Sequence, residues 1–159
     1  MTGTGTIRRL AGEAELGACA GMMAESEPWI TLGRTLEAST ANLRDPGKEV
    51  YVMEDEGRIS GFVVLDLRGP FPGYIQTVCV RPDARARGHG TRLIAWAEER
   101  IFRESPNVFM CVSTFNPDAR RLYERLGYSV VGELSDYLVP GHGEILLRKS
   151  RGPWSEFRR

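Results

Sequence analysis

Two segments carry residues whose types and spacing could do chemistry. The first, Arg85-Ala86-Arg87-Gly88-His89-Gly90-Thr91, follows a β-rich run ending at Val80 and leads directly into an amphipathic stretch. Such a loop makes an anion site. The first turn of a helix leaves backbone N–H groups free, its dipole is positive at that end, and two arginines stand nearby. Gly88 and Gly90 leave room for a phosphate to reach those N–H groups. The order is neither a Rossmann G-x-G-x-x-G nor a P-loop, because Thr91 follows the second glycine and no Gly-Lys-Ser/Thr occurs. Taken alone, the segment reads equally well as an ordinary loop with solvated arginines.

The second segment runs from Asn116 to Tyr128. Asn116 suits an N-cap, Pro117 a first helical turn and Gly127 a C-terminal stop. Within it Ala119, Leu122 and Leu126 form a core stripe with Tyr123 at its border, and packing alone makes Tyr123 a half-buried neighbour of the core. Cys19, Cys79 and Cys111 are odd in number and lack metal-ligand spacing, so they read as reduced, mostly buried thiols.

These segments need elements to position them. A strand is expected over Thr6–Leu10, a helix over Gly12–Ala24, and a second helix from Thr35 to about Leu43, with Pro28 and Gly33 punctuating the loop around Trp29. Val50–Met53 and Ile59–Leu67 flank an Asp55-Glu56-Gly57 turn as a hairpin, and Tyr74–Val80 forms a third run that stops at Pro82. Leu93, Ala97 and Ile101 mark an amphipathic helix over Thr91–Phe102. Val108–Val112 reads as a strand buried on both faces, with parallel pairing nearby. A helix over Pro117–Leu126 and strands over Tyr128–Leu134 and Glu144–Leu147 follow, and the Ser150–Arg159 tail packs either on the domain or on a partner.

At 159 residues, with 42% hydrophobic and 26% charged, the chain suits one domain over 1–159. Acidic and basic residues balance at 21 each, which gives no sign of a nucleic-acid or membrane partner, so any anion site is local. With no bilayer-length apolar run and no secretory signal, a cytoplasmic location is expected.

The first segment resembles the [Arg/Gln]-x-x-Gly-x-[Gly/Ala] loop of the GNAT superfamily of N-acetyltransferases, with Arg85, Gly88 and Gly90 at the motif positions. The second resembles that family's N-x-x-A-x-x-L-Y-x-x-L-G-[F/Y] run, complete here. The likeness covers about Val50 to Lys149. It implies an α/β fold with a mixed, mostly antiparallel sheet, splayed between the fourth and fifth strands (Tyr74–Val80 and Val108–Val112), with helices on both faces. It also implies acetyl-coenzyme A as cofactor. Arg85, Arg87, Gly88, His89, Gly90 and Thr91 would form the pyrophosphate loop, backbone N–H groups of Val78 and Val80 would meet the pantetheine arm and thioester oxygen, and Asn116 and Tyr123 would lie near the sulfur. The Pro28–Gly33 segment is similar to one in a subset of uncharacterised GNAT proteins.

The chemistry so implied is attack of a neutral amine on a thioester. Val78 or Val80 N–H would be the oxyanion donor, and Tyr123, a phenol of ordinary pKa about 10, would protonate the leaving thiolate. The base is unresolved. Members that acetylate protein N-termini often carry a Glu five residues before the Asn, where this chain has Cys111, and Gln76 takes the place of an acidic residue. Glu25, Glu27, Glu54 and Asp136 are the candidate carboxylates, and His142 faces solvent. A primary amine of a small molecule or peptide would bind between Trp29 to Leu32 and a strand whose Tyr74, Gln76, Val78 and Val80 share one face if it is regular. A noncatalytic acyl-coenzyme A sensor or assembly subunit is the competing reading, and a homodimer is compatible with either.

Overall fold

A computed structural model describes residues 5–159. In chain order the elements are β1 (Thr6–Arg9), α1 (Gly12–Ala24), α2 (Leu36–Arg44), β2 (Glu49–Asp55), β3 (Arg58–Asp66), β4 (Tyr74–Val80), α3 (His89–Ile101), β5 (Asn107–Ser113), α4 (Pro117–Arg125), β6 (Ser129–Val139) and β7 (His142–Ser150). The seven strands form one sheet in the order β1-β2-β3-β4-β5-β7-β6. Every neighbouring pair is antiparallel except β4 and β5.

Local chemistry accounts for the boundaries. Glu56 and Gly57, both at positive φ (51° and 75°), close the β2–β3 hairpin with the twist such a two-residue turn requires. Thr35 caps α2, its hydroxyl accepting from Ala38 N at 3.1 Å, and Asn116 caps α4, its Oδ1 accepting from Ala119 N at 3.4 Å.

Alternation along β2 and β3 divides the core. Val50, Val52, Phe62 and Val64 pack under α1 and α2. Tyr51, Met53, Val63 and Leu65 pack on the other face with Leu93, Ala97 and Ile101 of α3. Cys19 and Cys79 are buried in the first cluster, and that burial pushes both thiols up to about 12, so neither is poised to react.

The irregularity of β4 shapes everything that follows. On one side Val64 faces Thr77 and Leu65 faces Ile75, so Gln76 is an extra residue, a bulge. On the other side β4 pairs with β5 only at Tyr74↔Phe109 and Ile75↔Met110, beyond which the strands diverge. The bulge also reverses the alternation: Ile75, Val78 and Val80 pack with the α3 cluster, whereas Cys79 belongs to the α1 cluster. The expectation that Tyr74, Gln76, Val78 and Val80 share one face is therefore corrected. It required a regular strand.

Further differences lie near the C-terminus. β6 continues past Leu134 because Ser135 and Asp136, residues with turn character, are absorbed into a register shift between Leu134 and Val139. Asp136 adopts φ 53° and accepts from Gly141 N at 2.7 Å, holding the hairpin turn. The tail packs on the domain: Arg151 lies 3.9 Å from the Phe102 ring centroid and donates its N–H to Pro106 O.

Candidate functional site

Where β4 and β5 part, a cleft of about 940 Å³ opens between α3, α4 and the Glu27–Arg34 loop. That is room for a large cofactor together with a second, smaller molecule.

At one end stands the Arg85–Thr91 loop. Ala86 and Gly88 are left-handed (φ 62° and 78°) while Arg87 between them is not, an alternation that turns successive N–H groups to one side as an anion nest. Gly88 is the N-cap of α3, so the nest adjoins the free N–H groups of a helix start. Packing does not demand these glycines. A Cβ on Gly88 would touch nothing within 4 Å, and one on Gly90 only Val80 Cγ2 at 3.9 Å. Arg85 lines the cleft and ties the loop to β4, its Nε donating to Val80 O at 3.2 Å. Thr91 also lines it.

Two readings of this loop need correction. Arg87 is exposed and lies outside the cleft lining. His89 is among the residues lining the cleft, yet its side chain is 1% exposed, with Nε2 3.8 Å from Asp55 Oδ2 and neither ring nitrogen hydrogen-bonded, so the ring is packed in the protein interior.

The middle of the cleft is an open strand edge. Arg81 N donates to Ser60 O on β3 at 2.8 Å, and alternation puts Cys79 N–H on the same side. The N–H groups of Val80 and Val78 therefore point the other way, where β5 has already diverged. On the facing wall, Asn116 spends Oδ1 on its cap and keeps its NH₂ free for the cleft. Tyr123 packs on the α3 cluster and lines the cleft too; burial raises its hydroxyl pKa, and the hydroxyl has no hydrogen-bond partner among the described residues. Ala119, Tyr123 and Leu126 pack on that cluster and Leu122 does not, so the expected core stripe is corrected to those three.

At the far end Trp29 and Leu32 face Tyr74 and Gln76 across the opening, while Ile30 turns outward at 55% exposure. Burial raises the Tyr74 hydroxyl pKa, with Cys111 beside it. Gln76 Oε1 is buried without a partner.

Of the candidate carboxylates, only Glu27 lines the cleft, exposed and accepting from Thr31 N at 3.2 Å. Glu54 holds Arg8, Asp136 holds its turn, and Glu25 lies elsewhere. The carboxylate that sequence reasoning missed is Glu144. It is 5% exposed, faces Ser113 across the β5–β7 ladder, lines the cleft, and has Oε2 buried with no hydrogen bond. Burial raises its pKa above the usual carboxylate range. A charged residue heading the apolar run Ile145-Leu146-Leu147 was the available signal. His142 is half-buried with its ring centroid 4.9 Å from Phe115, not turned to solvent as expected.

An anion nest at a helix start, beside a strand edge opened by a bulge, is the arrangement the sequence resemblance implied. Over residues 17–128 the chain matches the acetyltransferase (GNAT) family. The chain belongs to this family. It is 34% identical over 137 residues, 77% of this chain and 82% of the relative, to the S-(2-succino)cysteine N-acetyltransferase of Bacillus subtilis. Its fold matches the ribosomal-protein-S18-alanine N-acetyltransferase of Escherichia coli with a TM-score of 0.77 at 17% identity, covering 98% of this chain and 99% of that one. It also matches an aminoglycoside 6'-N-acetyltransferase solved with coenzyme A, with a TM-score of 0.74 at 16% identity, over 93% and 98% of the two chains. This GNAT protein is thus a coenzyme A-dependent acyltransferase with the expected mixed, mostly antiparallel sheet splayed between β4 and β5.

Proposed function

We propose that this GNAT enzyme, a single domain over residues 1–159, moves an acetyl group from acetyl-coenzyme A to the primary amine of a small molecule. The observation that carries the reading is the open edge of β4, with Val78 and Val80 N–H groups unpaired between an anion nest and a buried carboxylate. The relative that acts on S-(2-succino)cysteine favours a small acceptor over a peptide. Among the described residues no helix is long and apolar enough to cross a membrane, which accords with work in the cytoplasm.

Acetyl-coenzyme A supplies the acyl group as a thioester. The nest and Arg85 hold its phosphates, Gly90 leaves them room, and Val78 and Val80 donate to oxygen along the cleft. Glu144 takes the proton released as the amine nitrogen bonds to the acyl carbon, and Tyr123 gives its hydroxyl proton to sulfur as the carbon–sulfur bond breaks. Burial raises both pKa values, so Tyr123 is protonated at neutral pH and Glu144 binds a proton more readily than an exposed carboxylate. Glu144 also answers the sole ground for a noncatalytic sensor, the lack of a carboxylate at the Cys111 position.

The test is release of free coenzyme A from acetyl-coenzyme A over a panel of primary amines. Tyr123→Phe is expected to lower kcat by about 10² to 10⁴, the range for a lost general acid, with little change in cofactor affinity. Turnover of no amine, despite cofactor binding, defeats the proposal in favour of the sensor. A wild-type rate in the variant reduces Tyr123 to packing.

A further inference from the structure

We infer that the acceptor carries a carboxylate beside its amine, as an amino acid does, and that the Arg34 guanidinium receives that carboxylate. The inference rests on the acetyl transfer proposed above and names its acceptor class.

Two cationic side chains line the cleft, Arg85 and Arg34. Arg85 stands in the nest loop and is bonded to Val80 O. Arg34 closes the Trp29–Leu32 segment, its N–H donating to Trp29 O at 3.0 Å, and so belongs to the acceptor end. Several other arginines are paired with carboxylates, and those that are not leave no buried guanidinium nitrogen unpartnered among the described residues. Arg8 bridges Glu15 and Glu54, Arg44 meets Glu13, Arg68 meets Asp45 and Asp66, and Arg100 meets Glu49. Arg34 has no carboxylate within 4.0 Å among the described residues, and its Nε is buried without any hydrogen-bond partner. Glu27, the acidic residue nearest in the loop, is occupied with Thr31 N. A guanidinium N–H withdrawn from water and given no partner is a standing cost unless a ligand supplies the acceptor, and the planar fork can hold a carboxylate through two parallel hydrogen bonds.

The complementary groups are in the same cleft. Glu144 Oε2 and Gln76 Oε1 are buried acceptors with no donor, suited to an ammonium or amine. One cation without an anion and two acceptors without donors form the inverse of a zwitterion. A simple alkylamine would satisfy the acceptors and leave Arg34 unanswered. Discrimination by unpaired buried groups is the kind that reaches large ratios, because the wrong ligand leaves them without partners.

The experiment compares matched acceptors: L-phenylalanine, L-phenylalaninamide and phenethylamine, with the corresponding acid, amide and amine of an S-substituted cysteine and of leucine. For wild type, kcat/KM is expected to be about 10- to 100-fold higher for the acid than for its amide in at least one series. Arg34→Met should reduce that ratio to near unity and Arg34→Lys should restore part of it. Because the amide's amine is the less basic, comparing the ratio between wild type and variant cancels the difference in free amine. Retention of the acetyl-coenzyme A-induced rise in melting temperature shows that the variants fold, and the wild-type comparison stands without them. Equal or better turnover of amides and alkylamines by wild type, or a ratio unchanged in Arg34→Met, overturns the inference while leaving acetyl transfer intact. Product from none of the amines, with the cofactor still bound, overturns both.

Discussion

A buried carboxylate with Oε2 unpartnered, whose pKa burial raises against the opposing influence of the Ser113 hydroxyl, has two consequences at the scale of a single residue, one for rate and one for stability. Glu144 must be ionised to accept a proton, so kcat/KM should fall on the acid side at a pH above the usual carboxylate range, following its raised pKa. Glu144→Gln should lower kcat by about 10² to 10⁴. Its effect on stability has the opposite sign. A carboxyl whose pKa is higher folded than unfolded stabilises the fold fully below its unfolded pKa, and that contribution is lost as pH rises through the folded value. The neutral amide escapes the loss. Glu144→Gln should therefore melt higher than wild type near about pH 8, with the difference shrinking toward about pH 4. A variant as active as wild type, or less stable at high pH, removes Glu144 from the role. This residue also shows where the sequence fell short. Tyr123 and Asn116 could be placed because they sit at fixed offsets in one helix, whereas Glu144 reaches the cleft only through the β5–β7 ladder, a pairing that local pattern does not encode.

At the scale of elements, α1 and β4 run over the residues that composition and periodicity indicated, whereas β2, β6 and β7 extend beyond their apolar runs and α3 begins two residues early, at His89. A bulge in β4 was implied by the family resemblance alone; its position at Gln76 was not legible from the apolar pattern, because an inserted residue changes register against β3 without altering the apolar run. That register change opens the functional edge, and hydrogen exchange can read it. Without cofactor, the amides of Val78 and Val80 should exchange much faster than those of Cys79 and Arg81, which face β3, and acetyl-coenzyme A should slow Val78 and Val80 selectively. Equal protection of all four would mean that β4 is paired on both sides. The start of α3 offers a second test. Gly90 is helical, not left-handed, and a Cβ there has space. Gly90→Ala should raise the melting temperature of the free protein, alanine being favoured in helices by up to about 1 kcal/mol, while weakening coenzyme A by crowding its phosphates. If the variant binds coenzyme A as tightly as wild type, the phosphates lie elsewhere.

For the whole molecule, the short β4–β5 pairing is, among the described residues, the only strand pairing joining β1–β4 to β5–β7, and the cleft lies along the rest of that seam. A ligand seated there touches α3, α4, β4 and the Glu27–Arg34 loop at once, so it binds only the assembled fold and stabilises it by mass action. At a hundredfold excess over Kd the gain is about 2.7 kcal/mol, which in a chain of this size corresponds to a rise of roughly 5–10 °C in melting temperature. Since acidic and basic residues balance over the whole chain, the attraction for the phosphates comes from the nest and Arg85 and not from a general positive field. Acetyl-coenzyme A should therefore shift the melting temperature well beyond the shift given by ATP at equal concentration, because only the former also occupies the open edge of β4 with its pantetheine arm. Salt should weaken the shift modestly, as expected for a few partly enclosed contacts. An equal shift with ATP would reduce the site to a phosphate-binding helix start, and no shift with either at millimolar concentration would remove the cofactor from this cleft.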